Sequence, residues 1–162
     1  MRNLLVILVG LPGSGKTTYS KNQVELDAIF GQEKKYFEAD MYFEESGKYK
    51  FDVTKLGEAH EWCYQQVEQS LIDGYVTYVA NTNLTKWERA KYIELAKQLG
   101  DVDVQIVVCS GNYQNIHGVP QEKLEMMKQK YEAPSADEFN GFDGKWLITP
   151  VYAMMELKKE NK

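Results

Sequence analysis

Gly10-Leu11-Pro12-Gly13-Ser14-Gly15-Lys16-Thr17 has the spacing G-x-x-x-x-G-K-[ST] of a phosphate-binding loop. That spacing carries meaning only between a strand and a helix, and the flanking residues predict both. Leu4 to Val9 is an unbroken aliphatic run, as expected of a parallel strand buried on both faces. Thr17 to Leu26 contains no glycine or proline and reads as a helix. Gly10, Gly13 and Gly15 allow a tight turn that aims successive backbone N–H groups at one point, where the positive end of the helix also faces. Lys16 adds a full charge for the β- and γ-phosphates, and the Thr17 hydroxyl is a ligand for Mg²⁺. The expected nucleotide-binding set is Leu11, Pro12, Gly13, Ser14, Gly15, Lys16, Thr17 and Thr18, with ATP or another nucleoside triphosphate and Mg²⁺ as cofactors.

The rest of the chain alternates strand and helix, the pattern of an α/β fold with a mostly parallel sheet of about five strands and helices on both faces. Lys34 to Ala39 reads as the second strand, ending at Asp40. Met41 to Val53, aromatic and charged with a turn at Gly47, reads as an irregular insert. Thr54 is positioned to cap a long helix to Ile72, with Leu56, Ala59, Cys63, Val67 and Leu71 on one face. Tyr75 to Ala80 is the third strand. Thr85 with Glu88 forms a capping box for a helix to Leu99, which Gly100 ends. Val102 to Cys109 is the fourth strand, and Ser110 to Val119 a polar loop. Pro120 opens a helix with Leu124, Met127 and Tyr131 as its apolar face, and Pro134 closes it. Lys145 to Thr149 reads as an edge strand, and residues 151–162 as a charged tail.

Bulk properties narrow the function classes. The 162 residues suffice for a single domain with a proper core, and 43% hydrophobic with 27% charged residues is ordinary for a globular protein. A net charge of −5 argues against general affinity for polyanions while leaving room for a local basic strip. No apolar run is long enough to span a bilayer, and the N-terminal run leads into the phosphate loop rather than a cleavage site. Cys63 and Cys109 have no metal spacing and read as buried free thiols, which points to a reducing, cytoplasmic setting.

Ligands of open α/β sheets bind beyond the C-terminal ends of the strands. That rule gathers Lys16, Asp40, Asn81, Asn83 and the loop at 110–119 around one site. Asp40 stands where a carboxylate would face an attacking hydroxyl, so Lys16 and Asp40 are the catalytic candidates. The third strand ends Val79-Ala80-Asn81 without an acid, which disfavours a motor-type ATPase and favours a kinase. Asn81 and Asn83 are supporting candidates. Arg2 and Arg89 are the arginines of the chain. Arg89 is within reach of the site, although a solvated helix face is its expected place. His117, alone in its loop, reads as structural or capping.

Taken together, Gly10 to Thr17, Glu38-Ala39-Asp40-Met41-Tyr42-Phe43, Asn81-Thr82-Asn83-Leu84, Asn115-Ile116-His117-Gly118-Val119 and Tyr131-Glu132-Ala133-Pro134 resemble the P-loop 5′-polynucleotide kinase family. That family includes phage and animal polynucleotide kinases and Nedd-binding relatives. Glu58-Ala59-His60-Glu61-Trp62 looks most like the Nedd-binding group. The resemblance runs from about Leu4 to Ile148. It implies a three-layer P-loop fold with kinase-type strand order 2-3-1-4-5. It also implies transfer of the ATP γ-phosphate to a 5′-hydroxyl of RNA or DNA, with Lys16 and Thr17 holding nucleotide and metal and Asp40 activating the hydroxyl.

The chain departs from that family in places. Phe43 stands where the phage enzyme has an arginine, Ala80-Asn81 where relatives carry an aspartate, and Tyr113 and Gln114 where the Nedd-binding group has lid arginines. Tyr42, Phe43, Tyr49 and Phe51, interleaved with Lys48, Lys50 and Lys55, read as an acceptor-binding lip or as aromatics that pack the insert down. Two alternatives stay open at this level: a kinase for a small nucleoside or nucleotide acceptor, and an ATP-binding interaction protein with a degenerate lid.

Overall fold

The computed structural model describes residues 2–30, 33–45, 47–111 and 118–150. The lid candidates Tyr113 and Gln114, the Asn115-Ile116-His117 part of its motif and the tail at 151–162 lie outside these residues.

The aliphatic run forms β1 (Asn3–Val9), and the phosphate loop leads from it into α1 (Lys16–Phe30). β2 (Lys34–Phe37) follows, then a 3-10 turn over Ala39–Phe43 and a small hairpin of β3 (Glu44–Glu45) and β4 (Lys48–Tyr49). α2 (Leu56–Ile72), β5 (Val76–Val79), α3 (Lys86–Leu99), β6 (Val102–Val108), α4 (Gln121–Lys130) and β7 (Trp146–Pro150) complete the order. The main sheet has five strands in the order β2-β5-β1-β6-β7, with parallel pairing throughout. Counting only these main strands along the chain, that is the expected 2-3-1-4-5. β1 lies at the centre, in register with β5 through Leu5–Thr77 and with β6 through Leu5–Val104.

Burial explains why β1 reads as continuously apolar. Leu5, Ile7 and Val9 point to one face, where they pack with Ala59, Cys63 and Val67 of α2 and Tyr92, Leu95 and Ala96 of α3. Val6 and Leu8 point to the other, with Tyr78, Ala80, Val107 and Cys109, beside Tyr19 of α1. A strand buried on both sides has no solvent face for polar residues to occupy. The α2 stripe is buried at Ala59, Cys63, Val67 and Leu71, as its periodicity predicts. Both cysteines are buried and free, and burial pushes both thiols up, Cys109 to about 11.

Some local expectations change. Thr54 does not cap α2; Asp52 accepts the Thr54 N–H at 3.0 Å and opens a 3-10 turn over Val53–Lys55 that feeds the helix. The second strand ends at Phe37, because the chain turns at Ala39 to present Asp40. The insert is not wholly irregular, since β3 and β4 pair across Gly47, whose φ of 78° suits the turn. α4 fully buries none of its residues: Leu124 and Met127 form its half-buried face, and Tyr131, beyond the helix end, is exposed. Thr85 does cap α3, accepting the Glu88 N–H at 3.1 Å, and Gly100 ends it with φ 68°.

Candidate functional site

The phosphate loop is shaped by its glycines for separate reasons. Gly13 and Gly15 have φ of 81° and 98°, in the region that disfavours a side chain. Gly10 is demanded by proximity instead: a Cβ there would collide with Ser14 Oγ and stand 2.5 Å from the Cys109 carbonyl oxygen. Ser14 is buried, and among the described residues its Oγ has no hydrogen-bond partner. Leu11 and Gly15 belong to the same turn, and Thr18, the third residue of α1, is exposed.

Lys16 begins α1 and is only 7% exposed. Its Nζ donates to the Gly10 and Leu11 carbonyl oxygens at 2.8 and 2.9 Å. Burial pulls its pKa down to about 8, against the pull of nearby Cys109, Glu38 and Asp40. The loop's own carbonyls hold the Lys16 charge.

Lys16 and Thr17 line a cavity of about 410 Å³ at the C-terminal ends of the central strands, together with Pro12, Glu38, Asp40 and Asn81. The topology rule therefore holds for these residues. Asp40 sits in the turn after β2 and accepts a hydrogen bond from the Tyr49 hydroxyl at 3.2 Å. Burial, with Asp40 next, pushes the Tyr49 pKa up to about 12, so this phenol stays protonated and remains the donor at neutral pH. Tyr49 and Phe51 stack at 6.5 Å with an interplanar angle of 16° and form one wall beside Asp40. His60 of α2 lines the same end, and burial, with Lys91 next, lowers its pKa towards the neutral imidazole. Lys123 and Met127 of α4 line the cavity from the side of Gly118.

The supporting candidates separate. Asn81 lines the cavity, but its Oδ1 accepts the Ala39 N–H at 2.7 Å, so it acts on the backbone next to Asp40. Asn83 is buried with φ 47° and donates to the Leu8 carbonyl at 2.8 Å, tying the motif to β1. Arg89 is not on a solvated face. It is 0% exposed and forks onto Glu138, itself 4% exposed, with Nε–Oε1 at 2.7 Å and a second bond at 3.1 Å. It also donates to the Asn83 and Glu132 carbonyls and does not line the cavity. Its charge is committed to the join between α3 and the segment before β7.

Glu38, His60 and Lys123 were not singled out as individual site residues by sequence reasoning. Glu38 accepts the Thr17 hydroxyl at 2.8 Å. Its signal was its place just after a strand, two residues before the candidate base. Lys123 had the signal of lying one turn into the helix that follows the polar loop. His60 had none beyond its motif, because its helix presents it to the cavity only through packing.

A family model described as an AAA domain (AAA_33) matches residues 5–112. NEDD4-binding protein 2 of Homo sapiens is 33% identical over 138 residues, which is 80% of this chain and 8% of that protein. The chain thus spans a small part of that relative. Kti12 of Chaetomium thermophilum, solved in complex with ADP-AlF3, is similar in structure with a TM-score of 0.63 and 15% identity, covering 89% of this chain and 87% of that one. The Mycobacterium tuberculosis APS kinase CysC, solved with AMPPNP and APS, aligns with a TM-score of 0.57 and 16% identity, covering 98% of this chain and 95% of that one. At such identities these structural likenesses are likenesses of fold.

Proposed function

The chain belongs to the AAA_33 family of AAA domains and has a P-loop kinase-like fold, and from that premise we propose that it transfers the γ-phosphate of ATP to a 5′-hydroxyl of RNA or DNA. The observation that carries this reading is the shared cavity: Lys16, Thr17 and Asp40 all line it, and the Tyr49–Phe51 wall, whose Tyr49 hydroxyl donates to Asp40, lines it with them.

In this reading the loop N–H groups and Lys16 bind the triphosphate, and Lys16 leaves the loop carbonyls for phosphate oxygens. Asp40 accepts the proton of the acceptor hydroxyl as its oxygen bonds to the γ-phosphorus. The bond from that phosphorus to the bridging oxygen breaks, and ADP leaves. Tyr49 holds the Asp40 carboxylate in orientation. Stacked aromatics beside the base suit a nucleobase at the strand end, since every base offers a π-face. Lys48, Lys50 and Lys55 on and just after the insert, with Lys123 on the cavity wall, supply positive charge for the strand's phosphates.

The donor set fits magnesium. Thr17 offers a hydroxyl oxygen with the Glu38 carboxylate beside it, both hard ligands. Among the described residues no group of three potential ligands is assembled for a metal, so the ion would share Thr17 with phosphate oxygens and water. Bound there, it supplies charge neutralisation on the β- and γ-phosphates.

A small-acceptor kinase is the second reading, and the insert itself favours it. Its first strand carries exposed Glu44 opposite Tyr49, an acidic flank on the path a polyanion would take. The deciding experiment is transfer from γ-labelled ATP with Mg²⁺ to 5′-hydroxyl RNA and DNA oligomers, compared with free nucleosides. Label on oligomer 5′ ends, lost in Lys16→Ala and in Asp40→Asn, is the expected result. Label on nucleosides alone replaces it with the second reading. Tight ATP binding with no transfer to any acceptor overturns both.

A further inference from the structure

Thr17 Oγ1 donates its only proton to Glu38 Oε2 at 2.8 Å, across 21 positions of sequence, and both residues line the cavity. The end of β5, where a metal-directed acid is usual in such folds, carries Ala80 and Asn81 instead. Asn81 is engaged with the Ala39 N–H, and Asn83 with the Leu8 carbonyl. Glu38 arrives from the neighbouring strand β2, through the turn that also presents Asp40. We propose that Glu38 is the positioning residue of the magnesium site, fixing the Thr17 hydroxyl and supplying the negative charge that β5 lacks.

A hydroxyl has a single proton and lone pairs to spare. With that proton held by Glu38, the lone pairs of Thr17 Oγ1 remain available to a cation. Without a fixed acceptor, the proton is free to rotate toward the cation and oppose binding. The carboxylate raises the basicity of the oxygen it accepts from, and its own charge attracts a divalent ion that keeps several of its waters. Residues behind a metal ligand commonly change metal affinity by about 10–100-fold when removed. The inference rests on nucleotide binding at the phosphate loop, and does not depend on which acceptor is phosphorylated.

The test measures ADP binding by calorimetry across a Mg²⁺ titration and, in parallel, with EDTA, in the unsubstituted chain, Glu38→Gln and Glu38→Ala. Mn²⁺ electron paramagnetic resonance reads the ion directly in the ternary mixture. Glu38→Gln keeps an oxygen for the Thr17 proton and removes only the charge, and it is nearly isosteric, so it carries the test if Glu38→Ala fails to fold. The expected result is a half-saturating Mg²⁺ concentration raised by roughly tenfold or more in Glu38→Gln and further in Glu38→Ala, with metal-free ADP affinity not lowered, since a negative charge beside the phosphates is removed. An unchanged Mg²⁺ titration in the variants overturns the proposal. So does an equal loss of ADP affinity with and without Mg²⁺, which would place Glu38 in the architecture of the loop. Magnesium-dependent ADP binding without transfer to any acceptor overturns the kinase reading and leaves the role of Glu38 standing. An unsubstituted chain that binds no nucleotide overturns both.

Discussion

Asn81 Oδ1 accepts the Ala39 backbone N–H at 2.7 Å, joining the end of β5 to the turn that presents Asp40. The bond spans 42 positions and fixes where the candidate base stands relative to the phosphate loop. An asparagine after a sheet strand is ordinarily a turn former. Here its amide sets the spacing of the site.

Asn81→Ala removes that acceptor and leaves a half-buried N–H without it. The expected cost is about 1–3 kcal/mol of stability, read by urea unfolding. Transfer should fall more steeply than ATP affinity, since the displaced element is the Asp40 turn. Asn81→Asp keeps an acceptor oxygen and should retain more of the fold than Asn81→Ala.

Tyr49→Phe tests the hydroxyl that donates to Asp40 at 3.2 Å. The ring and its stacking on Phe51 remain, so ATP binding should be unchanged. Loss of a bond to a charged acceptor worth about 1.5–3 kcal/mol in favourable cases sets an upper bound of roughly 10–100-fold on the fall in kcat. Steady-state kinetics with a fixed acceptor check it, and an unchanged kcat would remove Tyr49 from the positioning of Asp40.

Arg89→Ala should destabilise severely without touching the nucleotide. It strands the buried Glu138 carboxylate, and breaking such a pair costs about 3–5 kcal/mol. Arg89→Lys loses the two-toothed fork and should fall between. Equilibrium unfolding measures the loss, and ADP affinity of the folded fraction should match the parent.

Lys16 gives a stability effect with a defined sign. Its folded pKa, about 8, lies below the ordinary lysine value of 10.5 because the charge is buried. Holding the charge inside therefore costs stability below pH 8, and that cost is relieved as pH rises between the two values, where the unfolded chain binds more protons. Lys16→Met should raise the nucleotide-free melting temperature at pH 7, with the difference shrinking towards pH 10. A variant that melts lower than the parent at pH 7 would show that the bonds to the Gly10 and Leu11 carbonyls outweigh the burial cost.

The sequence alone determined the features that are local in the chain. The continuous apolar run of β1, the loop glycines, the Thr85 cap and the Gly100 stop each follow from residues within a turn or a strand of one another. Their alternation in turn implied a parallel sheet and a site at its C-terminal edge. Only the tertiary structure decided how charges and amides are used within that frame. Arg89 looks like a surface residue because its helix is polar around it, yet a partner 49 positions away takes it inside. Glu38 reads as one more charged residue until strand pairing sets β2 near the phosphate loop and its carboxylate meets Thr17. Periodicity and turn chemistry report what each segment becomes. Which side chains meet depends on register and packing between segments, and no local pattern encodes that.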